Sequence, residues 1–344
     1  MTLAKQILFG NTGIKISPII IGCMSYGSKS WSEWVEGDKE KVFAILKHCY
    51  DNGLRTFDTA DVYSNGKSER LVGEFLKKYN IRRETVVIMT KVFFATDETL
   101  PLTADRASRD DLTKLDLVNS EGLSRKHILD AVKKSVERLG TYIDVLQIHR
   151  FDSQTPIKET LRALNYVVES GDVRYIGASS MLPTQFVEMQ LTADKYNWHQ
   201  FVNVQSCYNL LYREDERDLN QFCKRHNIAL TPWSPLQRGI LTRPVKDKNT
   251  TRYTADKLIE VRHLNSLEDN EVQIVNRVEE LSKKKNVPMA AVATAWSIAK
   301  GCQPILGLSS VERVDDALKA LSIELSPEEI SYLEEPYRPK NFMF

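Results

Sequence analysis

Several things are missing from this chain of 344 residues, and each absence narrows what it can be. No uninterrupted apolar run approaches the ~20 residues that a membrane-spanning helix needs, and Met1 to Gly10 carries no long apolar stretch of the secretory-leader kind. Cysteine is sparse. The five (Cys23, Cys49, Cys207, Cys223, Cys302) are odd in number, far apart and never in a CxxC pair. Reduced thiols in the cytoplasm are therefore expected, with no disulfide framework and no zinc site. An excess of either charge is missing too: 47 Lys+Arg stand against 46 Asp+Glu, a net charge of +1. Without a basic field, neither a nucleic-acid nor a membrane-surface partner is expected. Disorder is excluded by the 42% hydrophobic content, which is enough to bury a core.

What is present is a rhythm of short apolar runs and longer amphipathic stretches. Ile7 to Ser17 reads as a hairpin with its turn at Asn11 and Gly13. Strands are then expected at 18–22, 54–57, 85–90, 143–148, 173–178, 201–205, 228–233 and 303–306. Helices are expected between and after them, at 38–52, 68–79, 124–139, 156–170, 183–195, 215–226, 269–284, 288–300, 311–321 and 326–333. Long polar connections run from Asp97 to Gly122 and from Gln237 to Leu264, and both are expected to fold over a site. Within the first, DDLTKLD is expected to dock its leucines on the wall of the fold.

Two arrangements satisfy eight strands alternating with helices: a doubly wound sheet and a (β/α)8 TIM barrel. A doubly wound dinucleotide domain carries GxGxxG after its first strand, and no such motif is present. Gly66-Lys67-Ser68 looks like the tail of a phosphate loop, but Asp61 stands where that loop needs glycine. No composition break divides the chain. The expectation is an α/β protein, one barrel domain over residues 1–344, with the N-terminal β-hairpin plugging its bottom and extra helices at its C-terminal end.

Catalytic groups of such barrels gather at the C-terminal ends of the strands. There stand Asp58, with Tyr63 in the loop after it, then Lys91, then His149. Asp58 and Lys91 directly follow strongly apolar segments, where an unpaired charge is costly, and a mutual ion pair removes that difficulty. A neighbouring ammonium is expected to lower the pKa of Tyr63, and His149 to orient a substrate oxygen. The set can deliver a proton to an oxygen atom. It has no good nucleophile, no carboxylate pair for glycoside cleavage and no metal spacing, so a hydride cofactor is the reductant that completes it.

The same four residues, with GLRTFDTADVYSNGKSE, TVVIMTK, RLGTYIDVLQIHR, VRYIGASS, QSCYNLL and PWSPL, resemble the aldo-keto reductases, and within them the fungal aryl-alcohol-dehydrogenase-like branch. The resemblance runs from about Gly10 to Leu321. It implies a (β/α)8 barrel that binds NADPH/NADP+ without a Rossmann domain, and an oxidoreductase that reduces aldehydes or ketones to alcohols, reversibly, possible substrates including aryl aldehydes and aryl alcohols. The alternative it leaves is a regulatory subunit of the same fold that senses the cofactor. It implies Tyr63 as general acid, Asp58 and Lys91 tuning it, and His149 orienting the carbonyl. Ser179, Ser180 and Gln205 would hold the nicotinamide carboxamide. Ser180 departs from the family's usual Asn. Trp233, usually Tyr, would stack on the nicotinamide, and Ser234, Leu236 and Gly239 would line the pyrophosphate, with Asp58 also facing the cofactor. Ser309 and Arg313 would meet the adenosine 2′-phosphate and Asp316 the adenine, although Ala317 replaces the usual Asn. Trp31, Trp34, Phe93, Tyr208 and Tyr212 are candidates for an aromatic pocket that takes a small carbonyl or alcohol.

Overall fold

A computed structural model describes residues 3–247 and 266–343. The part of the second long connection from 248 to 264 lies outside the described residues, so its expected place over the site is not addressed. The chain opens with a hairpin of β1 (Ile7–Leu8) and β2 (Lys15–Ile16). The left-handed residue of its turn is Gly10 (φ 56°) rather than Gly13, because a Cβ there would press on the backbone of Asn227 and Ala229.

Eight parallel strands follow: β3 (Ile20–Gly22), β4 (Thr56–Asp58), β5 (Val87–Val92), β6 (Ile143–Ile148), β7 (Val173–Ser179), β8 (Phe201–Gln205), β9 (Ala229–Leu230) and β10 (Ile305–Leu306). Each pairs with the next in sequence, and β10 pairs with β3. The remaining gap closes by a parallel bridge between Leu230 and Cys302, with Gln303 N donating to Leu230 O at 2.8 Å and Ile305 N to Pro232 O at 3.0 Å. The sheet is thus a (β/α)8 barrel, in which closure removes the exposed edges.

Helices pack outside: α1 (Lys39–Asp51), α2 (Lys67–Lys78), α3 (Asp111–Leu117), α4 (Arg125–Leu139), α5 (Ile157–Glu169), α6 (Pro183–Lys195), α7 (Leu219–Arg225), α8 (Asp269–Lys285), α9 (Met289–Ala299), α10 (Val311–Lys319) and α11 (Pro327–Glu334). Their starts follow the expected chemistry. Asp38 accepts from the Glu40 and Lys41 amides, and Ser124 from that of His127. The stretch 215–226 is not one helix. A 3-10 turn, Glu214–Arg217, is separated from α7 by Asp218 in a conformation neither helical nor extended (φ −147°, ψ −60°), whose carboxylate caps the new helix. In the first long connection α3 forms where a loop was expected. It buries Leu117 but leaves Leu112 and Leu115 exposed, so those leucines do not dock on the barrel.

The barrel interior is layered. At the bottom, Phe9 and Ile16 of the hairpin pack with Ile20, Val87, Met89, Val145, Val202, Ala229 and Ile305, which is the plug expected from sequence. Above lies a polar layer. Asn203 Nδ2 donates to Gln147 Oε1 and to Thr231 Oγ1, both at 2.9 Å. Consecutive residues of a strand face opposite ways, yet Val202 and Asn203 both join interior layers. A register shift makes this possible: Ile176 pairs with Phe201 but Ala178 with Val204, so β8 holds one extra residue. Gly177 sits where the two amides converge, and a Cβ on it would lie 1.9 Å from Asn203 Oδ1. Gly177→Ala is expected to lower stability by roughly 1–3 kcal/mol, as overpacking does. Gly13→Ala, where a Cβ meets nothing within 4 Å, is expected to be neutral. Urea midpoints that coincide for the two variants would show that the interior has room after all.

Candidate active site

Asp58 is the last residue of β4 and Lys91 the penultimate residue of β5, so both are in the strands rather than past them, as sequence had suggested. Lys91 Nζ donates to Asp58 Oδ2 at 2.5 Å, to Thr59 O at 2.8 Å and to Tyr63 Oη at 3.4 Å. These three contacts engage all three ammonium protons. The other carboxylate oxygen, Asp58 Oδ1, accepts from Gln147 Nε2 at 3.0 Å and from Gln205 Nε2 at 2.9 Å. Both charges are buried, and each carboxylate oxygen has at least one donor.

Tyr63 arrives on a tightly folded loop. Thr59 N donates to Met89 O, Asp61 N to Lys91 O, and Val62 N to Asp61 Oδ1, which fastens the loop along β5. After Tyr63, three successive residues have positive φ: Ser64 (50°), Asn65 (53°) and Gly66 (89°). Such backbone costs about 1–3 kcal/mol per non-glycine residue and persists where surrounding structure enforces it. Here Asn65 binds the carbonyls of Asp97 and Leu100, and Ser68 Oγ donates to Cys23 O. Beneath the loop, Glu69 accepts from Arg138 Nε at 2.6 Å, a buried ion pair, and at 2.5 Å from Thr90 Oγ1, the residue just before Lys91.

His149 follows β6, and its amide donates to Val92 O at 3.0 Å. Its ring stands edge-on to Tyr63, 5.8 Å between centroids at 81°, and 5.0 Å from Phe94. Burial, and then the cations Arg150, Lys91 and Arg106, hold the imidazole pKa well below its usual value. The ring is thus neutral at pH 7. Its Nδ1 is sealed without a hydrogen-bond partner. For Tyr63 the sequence expectation fails. Lys91 does pull the phenol's pKa down, but burial is the larger effect and Asp58 adds to it, so the net shift is upward. Lys91 shows the opposite balance. Burial disfavours its charge, yet Asp58 and Tyr63 together raise its pKa. The arrangement is a protonated phenol with a fixed ammonium behind it, which can give a proton to an oxygen and hold the resulting phenolate.

The expected cofactor residues form a strip continuous with this cluster. Ser179 Oγ donates to Gln205 O at 2.8 Å and lies 3.2 Å from Ser180 Oγ. Ser180 Oγ accepts from Trp233 Nε1 at 2.9 Å, so serine in place of the family's asparagine fixes the indole. Beyond it, Ser234 (φ 52°), Gln237 (43°), Arg238 (53°) and Gly239 (95°) are left-handed, and Asn209 Nδ2 secures the turn through Ser234 O and Gln237 Oε1, both at 3.0 Å. Gly239 N donates to Leu236 O at 2.9 Å. Such runs make concave backbone suited to anions. At the far end Ser310, next to Ser309, caps α10 by accepting from Arg313 N at 3.3 Å. The exposed Arg313 side chain pairs with no described residue, whereas Asp316 is held by Lys319 at 2.8 Å.

The expected aromatic pocket is only partly assembled. Trp31 lies 6.4 Å from the Tyr63 ring and Trp34 6.2 Å from Trp31. Phe93 instead packs with the main core, and its neighbour Phe94 faces His149. Tyr208 and Tyr212 are corrections. Tyr208 donates to Glu216 and tilts against Trp296, while Tyr212 Oη accepts from Met343 N at 3.1 Å, so both pack against the C-terminal part of the chain. Sequence reasoning also missed Gln147, Asn203, Glu69 and Arg138. A signal existed for Gln147, which lies in β6 two residues before His149, the spacing that puts two side chains on one face of an extended chain.

The family model described as the aldo/keto reductase family matches residues 18–338. A Saccharomyces cerevisiae protein provisionally named an aryl-alcohol dehydrogenase (AAD16) is 60% identical over 340 residues, 99% of each chain. Versiconal hemiacetal acetate reductase of Aspergillus parasiticus is 48% identical, over 96% of each chain. Aldo-keto reductase AMT2 of Alternaria alternata is 45% identical, over 96% of this chain and 90% of its own.

Asp58→Asn leaves Lys91 buried without its counter-charge, and is expected to destabilise the fold by roughly 3–5 kcal/mol at neutral pH. The amine then loses its proton on folding, whereas the unfolded lysine keeps it up to a pKa of ~10. The unfolded state therefore binds more protons, and the deficit against wild type shrinks as pH rises towards 10. Chemical denaturation at pH 7 and pH 10 measures both. A deficit independent of pH means the ion pair is not what holds these strand ends.

Proposed function

The chain belongs to the aldo/keto reductase family of oxidoreductases, and from that premise we propose that it uses NADPH to reduce an aldehyde or ketone to the alcohol, reversibly, with Tyr63 as general acid. One observation carries the mechanism: Tyr63 Oη lies 3.4 Å from an ammonium that is itself anchored by Asp58. Reduction adds a hydride to the carbonyl carbon and a proton to its oxygen, leaving an alcohol and NADP+. What a reduced nicotinamide brings to the site is the hydride.

The residues present suit such a coenzyme. Hydroxyls of Ser179 and Ser180 and the amide of Gln205 offer partners to a carboxamide, and Trp233 offers an aromatic face. The left-handed turn through Ser234 and Gly239, with Leu236 between them, suits a pyrophosphate. Arg313 is a forked cation at a helix N-terminus with Ser309 beside it, a combination that suits a 2′-phosphate and favours NADPH over NADH. The acidic Asp316 stands on the same helix.

The chain's own groups then divide the work. Burial keeps Tyr63 protonated, and Lys91 stabilises the phenolate once the proton has left. Neutral His149 offers an N–H to the substrate oxygen and orients it. A neutral imidazole adds no positive charge of its own to compete with proton delivery. The five buried free thiols agree with a reducing cytoplasmic setting. The name of the yeast relative directs attention to aryl aldehydes and aryl alcohols as substrates.

Tyr63→Phe is expected to bind NADPH as wild type does, by fluorescence titration, and to lose at least ~100-fold in kcat, the usual contribution of a positioned general acid. Retention of full turnover would refute the mechanism. In wild type, kcat/KM for reduction is expected to stay level across neutral pH. It should fall only near or above ~10, the ordinary tyrosine value, since the phenol's pKa is raised. A limb near pH 6.5 would show that His149 titrates, contrary to its environment.

A further inference from the structure

The mouth of the barrel holds two arginines that neither the proton-delivery set nor the coenzyme strip uses. Arg106 comes from the long β5–α4 connection, which is tied to the site where Ala104 N donates to Trp31 O at 3.1 Å. Its guanidinium lies over the Phe94 ring, 3.7 Å from the centroid. Arg150 reaches the same ring at 5.7 Å, while its Nη1 donates to His149 O at 2.5 Å. Arg106 and the imidazole are therefore both neighbours of the one Phe94 ring.

The two arginines differ in their surroundings. Among the described residues, Arg106 makes no side-chain hydrogen bond and no ion pair. The carboxylate whose field reaches it, Glu121, leans on Arg109 at 4.0 Å. Arg106 is thus an exposed cation resting on an aromatic face, and no described residue takes up its five donors. Beside it, Trp31 stands at Tyr63, Trp34 at Trp31, and Phe94 at His149. Aromatic side chains, Trp31 at Tyr63 and Phe94 at His149, border the proton-donating pair, and the cation lies over the face of Phe94.

We propose that the carbonyl compound this site takes is an aryl aldehyde bearing an anionic substituent, a carboxylate above all, with the ring lodged between Trp31 and Phe94 and the anion bound by Arg106. The inference rests on the carbonyl-reductase reading above and adds the substrate class. The geometry gives the reason. A substrate ring lying alongside Phe94 comes next to the same two groups, the imidazole and the guanidinium. With its aldehyde oxygen at Tyr63 and His149, its far substituent reaches Arg106. A planar guanidinium meets a carboxylate with two parallel hydrogen bonds, and its stacking on Phe94 holds the fork in place. Arg150 adds field of the same sign and excludes a cationic substituent.

The experiment compares 4-carboxybenzaldehyde with its methyl ester, using NADPH and the full-length enzyme at low ionic strength. The ester withdraws electrons more strongly, so intrinsic reactivity favours it. A preference for the acid therefore has to come from the protein. The expected result is a kcat/KM for the acid at least ~10-fold above that of the ester, carried by KM and reduced by salt, the scale of one charge-assisted hydrogen bond. The ratio is expected to collapse towards unity in Arg106→Gln and to be largely kept in Arg106→Lys, which retains the charge. Because the ratio is taken within each variant, a general loss of folded enzyme cancels. If the ester is reduced but the acid is not preferred, or if Arg106→Gln leaves the ratio unchanged, the anion site is overturned while the reductase reading stands. If neither aldehyde consumes NADPH, the reductase reading itself falls, and this inference with it.

Discussion

Lys91 keeps a full positive charge inside the barrel with almost no contact with water, and most of the upper barrel is organised around that fact. A buried ammonium loses its hydration, and only close, well-directed partners replace it. Asp58 is the charged one. Because the carboxylate is also buried, it needs partners of its own, which come from Gln147 and Gln205, and Gln147 in turn is held by Asn203. The amides are therefore consequences of the ion pair. The shift of register in β8 and the bare Cα of Gly177 follow from the room the amides need.

The same chain of contacts couples two jobs. From Trp233 it passes through Ser180, Ser179 and the backbone of Gln205, then through the Gln205 side chain to Asp58, Lys91 and Tyr63. In the proposed function the first part faces the coenzyme and the last part faces the substrate oxygen. Rigid strands hold every member except Tyr63, Ser180 and Trp233, and those three lie on segments pinned by side-chain hydrogen bonds. A site assembled this way keeps its spacing because moving one member breaks the hydrogen bonds of the next.

Much of this was legible before any coordinates. Asp58, Lys91 and His149 end or follow apolar strand runs, and a charge at the end of a buried strand has few explanations. Periodicity found all eight strands, and the missing GxGxxG chose between two folds. Other features were hidden for physical reasons. Gln147 and Asn203 are uncharged amides inside strands, and nothing in their type separates a polar floor from a surface face. An aromatic residue packs equally well under a loop or around a ligand, so Tyr208 and Tyr212 look no different in sequence from Trp31. Phe94 took the place expected for Phe93 because β5 ends at Val92 and strict alternation ends with it. The direction of the Tyr63 shift depended on weighing burial against one charge, and burial is a property of the whole fold.

That last reversal has a consequence for the direction of proton flow. A phenol whose pKa a cation has lowered stands half-ready to accept a proton, whereas one whose pKa burial has raised is primarily a donor. Tyr63 belongs to the second kind: the cations that lower its pKa, Lys91, which is paired with Asp58, and Arg150, do not outweigh burial. In the proposed reduction Tyr63 thus stands ready as the proton donor to an alkoxide formed beside it, and the phenolate left behind faces Lys91. Oxidation needs the opposite balance, and the groups on hand for it are the ones that oppose burial: a change that brought Lys91 closer than 3.4 Å to Tyr63 Oη, or weakened the pull of Asp58 on Lys91, would strengthen the stabilisation of the phenolate. Burial holds the proton on Tyr63 before transfer and the anchored ammonium steadies the phenolate after it, so the two opposing influences on one phenol serve successive stages of the same step.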